Sequence, residues 1–117
     1  MDAKLFKGFF LFAVLFFALL FVLNIQPAAN AATDAEMIAK GKELYQSLGC
    51  IGCHMINGMG GRIGPDLSKV GSRLKKKRML GQINNPKQYN PSSMMPSFQS
   101  LPEDQKQALV KYLMSLK

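Results

Sequence analysis

The stretch that decides the fold of this chain is Cys50-Ile51-Gly52-Cys53-His54. Its two cysteines are the only ones in the sequence of 117 residues, and the histidine that follows them is the only histidine. Two thiols at this spacing can add across the two vinyl groups of haem, and the adjacent imidazole can then reach the iron. The motif therefore predicts one covalently attached haem c, held by Cys50 and Cys53 and ligated by His54.

Three other uses of the motif are disfavoured by the rest of the chain. A closed zinc site needs four ligands, whereas the chain offers two Cys and one His in total. A thiol redox pair normally opens a helix in a βαβ unit, and no such pattern occurs here. A disulfide that closes so short a loop would stabilise little. Haem attachment is thus the favoured interpretation.

The N-terminal residues have the layout of an export signal. Lys4 and Lys7 precede an apolar run at residues 8–25. Small residues on both sides of position 30 then match an A-x-A peptidase site. We therefore predict a signal peptide at residues 1–31 and a working domain at residues 32–117.

The same apolar run is close to the minimum length that spans a bilayer, so an uncleaved membrane anchor at residues 8–25 is the alternative. Under either interpretation the N-terminal lysines stay in the cytoplasm and the following domain is exported, because short positive flanks set the orientation. We therefore expect a periplasmic or otherwise extracytoplasmic protein, tethered to the membrane only if the signal persists.

The predicted domain at residues 32–117 is small and basic. It holds 13 Lys and Arg against 6 Asp and Glu, a net charge of about +7. An exported domain rarely meets nucleic acid, so we expect no nucleic-acid partner and instead an acidic protein or an anionic membrane surface. Gly, Asn, Ser and Pro crowd the middle of the domain, and its core would be thin without a bound group.

Helical periodicity is confined to three stretches of this domain. Thr33 and Glu36 form a capping box before apolar residues at helical spacing, which predicts a first helix that stops at Gly49. A short helix is predicted over residues 77–84, where the following proline ends it, and a last helix over residues 102–116. These helices predict an all-α fold.

Alternating, strand-like runs do not occur between the helices. Two stretches, residues 56–74 and 85–100, are predicted to be long loops. Loops of this length usually wrap a ligand or carry function, so we expect them to surround the haem.

From residue 36 to residue 116 the sequence resembles class I cytochromes c, particularly the short bacterial ones. The resemblance is carried, in chain order, by Gly41, Leu44 and Tyr45 before the haem motif, Gly64-Pro65-Asp66-Leu67 after it, Met95-Pro96-Ser97-Phe98, and Tyr112 in the last helix. It implies the small cytochrome c fold, in which the terminal helices cross where a glycine meets an aromatic ring.

The resemblance also implies the residues that complete the site. The carbonyl of Pro65 would accept a hydrogen bond from the other ring nitrogen of His54 and so orient this ligand. Position along the chain narrows the sixth ligand to Met94 or Met95, whose side chains should point to opposite sides because the backbone before proline is extended. The resemblance favours Met95, which directly precedes Pro96.

With nitrogen and sulfur on opposite faces, the iron would have no vacant position, so the implied function is one-electron transfer rather than catalysis. The alternative from another class is an open sixth position that serves a peroxidase-like enzyme or a ligand sensor. The sequence has no second histidine to assist peroxide cleavage.

The densest charge run is basic and comprises Arg73, Lys75, Lys76, Lys77 and Arg78. Such a run is most often the solvated start of a helix. Its functional alternative is a docking surface for an acidic redox protein, which would accelerate encounter and weaken with salt.

Overall fold

A computed structural model describes residues 3–23 and 26–117 of the chain. Those residues form five α-helices, which are α1 (Ala3–Leu23), α2 (Gln26–Ser47), α3 (Val70–Arg73), α4 (Lys76–Asn84) and α5 (Glu103–Ser115). Strand β1 (Met55–Ile56) pairs antiparallel with β2 (Met59–Gly60), and short 3-10 turns lie at Cys50–Gly52 and Pro86–Gln88. The predicted all-α fold class is confirmed.

The chain divides into two compact units, Met1–Thr33 and Asp34–Lys117. Within the first unit, α1 exposes large apolar side chains between residues 9 and 19. In the parts of the chain that the structure describes, no helix is both long enough and apolar enough to cross a membrane. Residues 24 and 25 and the side chains of the predicted peptidase site lie outside what is described, so signal cleavage stays a prediction.

The helix before the cysteine motif begins earlier than its capping box predicts. α2 starts at Gln26, so Thr33 lies inside the helix instead of at its N-terminus. The sequence over residues 28–35 is rich in alanine, which favours helix, and the preceding proline is tolerated in a first turn. The predicted stop is correct, because Gly49 has a left-handed backbone with φ 78°.

In the second unit the core forms where α5 packs against the other elements. Its buried members are Tyr45, Ile56, Val70, Met79, Ile83, Leu109, Val110, Tyr112 and Leu113. At Gly41 the backbone of α2 lies directly against α5. A Cβ added there would lie 2.6 Å from the Cβ of Tyr112 and would also strike the carbonyl oxygen of Ala108. Only glycine permits this approach of the two terminal helices, as the resemblance implies.

The two predicted loops contain structure that the sequence pattern did not indicate. The first holds the β1–β2 hairpin and α3, and the second holds the Pro86–Gln88 turn. Each strand has two residues and α3 has four, which is too short for a hydrophobic period to appear. By contrast, the helices predicted over residues 77–84 and 102–116 are observed as α4 and α5, with ends that differ by at most one residue.

Candidate functional site

The two cysteines and the histidine lie on a tight turn directly after α2. The backbone N–H of His54 donates to the carbonyl of Cys50 at 2.9 Å, which closes the turn. Cys50 is partly buried, Cys53 is exposed, and both are free thiols. Burial raises the pKa of the Cys50 thiol. One turn of chain thus presents both thiols beside the imidazole.

The imidazole of His54 is oriented by the turn at Gly64 and Pro65. Its Nδ1 atom lies 2.8 Å from the carbonyl oxygen of Pro65. Because a carbonyl can only accept a hydrogen bond, Nδ1 is the donor in this contact, and a neutral imidazole so oriented carries its lone pair on Nε2. A Cβ added to Gly64 would lie 2.7 Å from Nδ1 and 3.0 Å from Nε2, so a larger residue would displace the ring. The turn therefore engages Nδ1 and leaves Nε2 as the ring nitrogen available to a ligand.

The backbone of His54 is held from α2 by Tyr45. The phenol of Tyr45 donates to the His54 carbonyl at 2.7 Å. Burial, with smaller effects from Cys50, Tyr112 and Asp66, raises the pKa of Tyr45 to about 12, so the phenol stays a donor at neutral pH. Tyr45 was part of the family resemblance, but its spacing in α2 indicated only core packing and no contact with His54.

The hairpin packs against the cysteine turn through two glycines. The N–H of Gly61 donates to the carbonyl of Ile51 at 2.8 Å. A Cβ on Gly61 would strike the carbonyl of Gly52, and one on Gly60 would strike the carbonyl of His54. These glycines are needed for backbone-to-backbone contact. Sequence reasoning missed them, although the pair Gly60-Gly61 is a turn signal.

The turn that carries Pro65 is tied to the basic run by Arg73. The Nη2 atom of Arg73 donates to the carbonyl of Asp66 at 2.6 Å. The Asp66 carboxylate accepts from the backbone N–H of Ser68 at 2.7 Å and from its hydroxyl at 2.5 Å. These hydrogen bonds, with a smaller effect of the Arg73 charge, hold the pKa of Asp66 below its ordinary value. Arg73 thus supports the turn that orients His54.

The two candidate methionines lie in different surroundings. Met94 is 82% exposed, whereas Met95 is partly buried and packs against the core cluster. The sulfur of Met95 lies 3.9 Å from the amide nitrogen of Gln82 on α4, and the backbone N–H of Met95 donates to the Ser93 hydroxyl oxygen at 3.2 Å. Of the two, Met95 is the one that the fold holds inward.

The loop after Met95 is anchored to α4 and α5. The hydroxyl of Ser97 donates to the carbonyl of Asn84 at 2.5 Å. Lys106 is a buried residue, and its ammonium donates to the side-chain oxygen of the same Asn84 at 3.3 Å and to the carbonyl of Gln99 at 3.4 Å. Because these bonds join residues far apart in the chain, no local sequence signal could predict them.

The basic run is divided between two helices and two kinds of surroundings. Arg73 ends α3, and the lysines at residues 75–77 lie at the start of α4, exposed. Arg78 is partly buried, and its guanidinium carbon lies 3.3 Å from the centre of the Tyr89 ring. The lysines therefore face solvent, whereas both arginines contact other residues.

The donor set fits a covalently attached haem better than a bare metal ion. Across residues 3–23 and 26–117 no group of three or more His, Cys, Asp or Glu could hold a metal. What the fold supplies is a pair of thiols on one turn, an imidazole with a free Nε2, and a thioether held against the core. Thiols, imidazole and thioether are the kinds of group that attach a haem c and ligate its iron.

Comparison with known proteins agrees with this donor set. The family model described as cytochrome c matches residues 38–117, more than half of the chain and all the site residues described above. The chain therefore belongs to the cytochrome c family of electron-transfer proteins, and family membership implies covalently bound haem c. The predicted c-type cytochrome and its predicted cofactor are confirmed.

A curated relative extends the comparison. The chain is 28% identical over 99 residues to cytochrome c oxidase subunit 2 of Alkalihalophilus pseudofirmus, an alignment that covers 77% of this chain and 29% of the relative. The chain thus spans less than a third of the length of that protein.

Proposed function

We propose that this chain is an exported, class I cytochrome c that carries single electrons on one haem ligated by His54 and Met95. The observation that carries the proposal is the hydrogen bond between His54 Nδ1 and the Pro65 carbonyl, since it leaves Nε2 free and aimed by a fixed turn. The inward position of Met95 supports a second ligand from the loop after α4.

Each residue of the site has a separate task. Cys50 and Cys53 would hold the haem by thioether bonds, His54 would donate its Nε2 lone pair, and Met95 would donate a soft sulfur that raises the reduction potential. When bound, the haem supplies an iron that gains and loses one electron. The turn at Pro65 and the anchored loop at Met95 keep both donors still, so electron transfer requires little rearrangement.

The rival function is a haem protein with an open sixth position, acting as a peroxidase-like enzyme or a ligand sensor. In that case Met94 and Met95 would merely pack, and peroxide chemistry would have to proceed without a second histidine, which the chain does not offer. The rate and extent of carbon monoxide binding to the ferrous protein at neutral pH distinguish this open-site function from His/Met-ligated electron transfer. We expect slow and incomplete binding, whereas rapid and complete binding would contradict His/Met ligation.

We propose further that the protein works outside the cytoplasm, with residues 1–31 as its export signal or, if uncleaved, its membrane tether. The position of Lys4 and Lys7 directly before the apolar run at residues 8–25 supports this proposal. The intact mass of the exported protein tests it directly. A mass of residues 32–117 plus one haem is expected, and a full-length mass plus one haem would favour the anchor.

The proposed partner is an acidic redox protein that docks at the basic run between Arg73 and Arg78. The lysines at residues 75–77 are exposed at the start of α4, where they can act on an approaching acidic surface. Such charges raise the rate of encounter more than they raise affinity.

A further inference from the structure

Arg78 differs from the lysines that precede it. Its guanidinium carbon lies 3.3 Å from the centre of the Tyr89 ring, a close cation–π contact. Its Nη1 atom donates to Oε1 of Gln82, one turn further along α4, at 3.3 Å. A planar guanidinium that stacks on a ring and bonds an amide at once makes contacts that lysine cannot reproduce.

Gln82 joins this arginine to the candidate ligand. Its amide oxygen faces Arg78, and its amide nitrogen lies 3.9 Å from the sulfur of Met95. A guanidinium can only donate and a thioether sulfur can only accept. A flipped amide would therefore set two donors against each other at Arg78 and two acceptors against each other at Met95. The arginine thus determines which end of the Gln82 amide faces the sulfur.

Tyr89 in turn holds the arginine. The ring lies across α4 at Gly81, where an added Cβ would lie 2.9 Å from its Cζ atom and would also strike its hydroxyl oxygen. Its backbone N–H donates to the carbonyl of Pro86 at 3.1 Å, which fixes the chain behind it. The ring can cover Arg78 because residue 81 has no side chain.

We propose that Arg78 is a positioning residue for the sixth ligand and that it acts through Gln82 on the sulfur of Met95. This inference rests on the proposed His/Met ligation. A hydrogen bond to the sulfur withdraws electron density, and a weaker sulfur donor favours ferrous over ferric iron and so raises the reduction potential. Arg78 then tunes the iron, and the docking charge of the basic run belongs mainly to the lysines at residues 75–77.

The test compares four single variants and one double variant of the exported holoprotein with the parent. Arg78→Gln and Gln82→Leu remove the two links of the relay, Arg78→Lys keeps the charge alone, and Lys77→Gln is the control because it removes one charge from the exposed neighbouring position. The measurements are the reduction potential and the rate at which imidazole displaces the sulfur. Normal haem content in each variant shows that it has folded and matured.

We expect Arg78→Gln and Gln82→Leu to lower the potential and to raise the imidazole rate several-fold. Arg78→Lys should likewise lower the potential and raise the imidazole rate, whereas Lys77→Gln should leave the imidazole rate at the parent value. The double variant Arg78→Gln with Gln82→Leu should shift the potential no further than Gln82→Leu alone, because both changes act on one contact.

Two results would overturn the relay. One is an Arg78→Gln variant that matches Lys77→Gln in potential and imidazole rate, which would mean that only charge matters. The other is full additivity in the double variant. Failure of His/Met ligation itself gives a different result, since the ferric parent protein would then lack the sulfur-to-iron absorption band altogether.

Discussion

Nδ1 of His54 and the carbonyl oxygen of Pro65 lie 2.8 Å apart, although eleven positions separate the two residues in the chain. The contact links the cysteine turn to the loop after the β1–β2 hairpin. Gly64 allows it, because any side chain at that position would overlap the imidazole. The link makes one ring nitrogen a donor to protein and leaves the other with a free lone pair.

Gly64→Ala should therefore disturb the histidine. The added methyl group would lie 2.5 Å from the Cε1 atom of His54, so either the ring or the turn must move. We expect a loss of about 1–3 kcal/mol in the free energy of unfolding and a lower reduction potential. Denaturant titration and redox titration measure the two effects. Gly52→Ala is the control, because a Cβ there meets nothing within 4 Å, and equal losses in both variants would contradict the contact.

Met95→Ala should remove the sulfur-to-iron absorption band at the red end of the ferric spectrum and lower the potential. The reason is the loss of the thioether that the core holds inward. Met94→Ala is the matched control, since its side chain is 82% exposed and should leave both properties unchanged. If the band disappears in Met94→Ala and persists in Met95→Ala, the ligand is Met94.

Replacing both cysteines with serine should leave little stable helix in the unit Asp34–Lys117. Its core cluster is small, and covalent haem would add apolar contacts that the chain alone lacks. Circular dichroism during thermal unfolding measures the remaining helix. A steep, cooperative transition in this variant would show that the polypeptide folds without haem.

Tyr45→Phe should weaken the support of His54 while it preserves the packing of the ring. The variant loses one hydrogen bond to a backbone carbonyl, at 2.7 Å in the parent, and leaves that carbonyl unpaired. We expect the free energy of unfolding to fall by about 1–2 kcal/mol, as measured by denaturant titration of the holoprotein. Unchanged stability would mean that another donor replaces the phenol.

Neutralising Lys75, Lys76 and Lys77 with glutamine should slow electron transfer from an acidic redox partner and flatten its dependence on salt. These side chains are exposed at the start of α4, so their loss should change the encounter rate without unfolding the protein. Stopped-flow kinetics at several ionic strengths measure the effect. The control variant replaces Lys42, Lys87 and Lys117 with glutamine. If the electron-transfer rates of both variants depend equally on ionic strength, a local docking surface is rejected.

Local sequence signals predicted the elements that depend on neighbours in the chain. The stop at Gly49 follows from a conformation that glycine adopts most easily, and α4 and α5 follow from their apolar spacing. The predicted start of α2 at Thr33 was wrong, because a capping box does not prevent a helix from extending upstream through alanine-rich sequence. The hairpin and α3 are shorter than the periods on which such predictions depend.

The supports of the two candidate ligands could not be predicted in the same way. Arg73 and Arg78 belong to one basic run, yet one bonds the turn beside Pro65 and the other bonds Gln82. A charge run looks alike whether its members face solvent or fold inward. Only the packing of α3, α4 and the loops separates the arginines from the lysines between them.

The sequence by itself determined the attachment chemistry of this protein, because two thiols and an imidazole within five consecutive residues need no long-range folding to come together. The tertiary structure alone decided which of Met94 and Met95 lies against the core, and which residues hold Met95 and His54 in place. Those outcomes depend on contacts between segments that are distant in the chain, and such contacts form only when α2, α4 and α5 pack together.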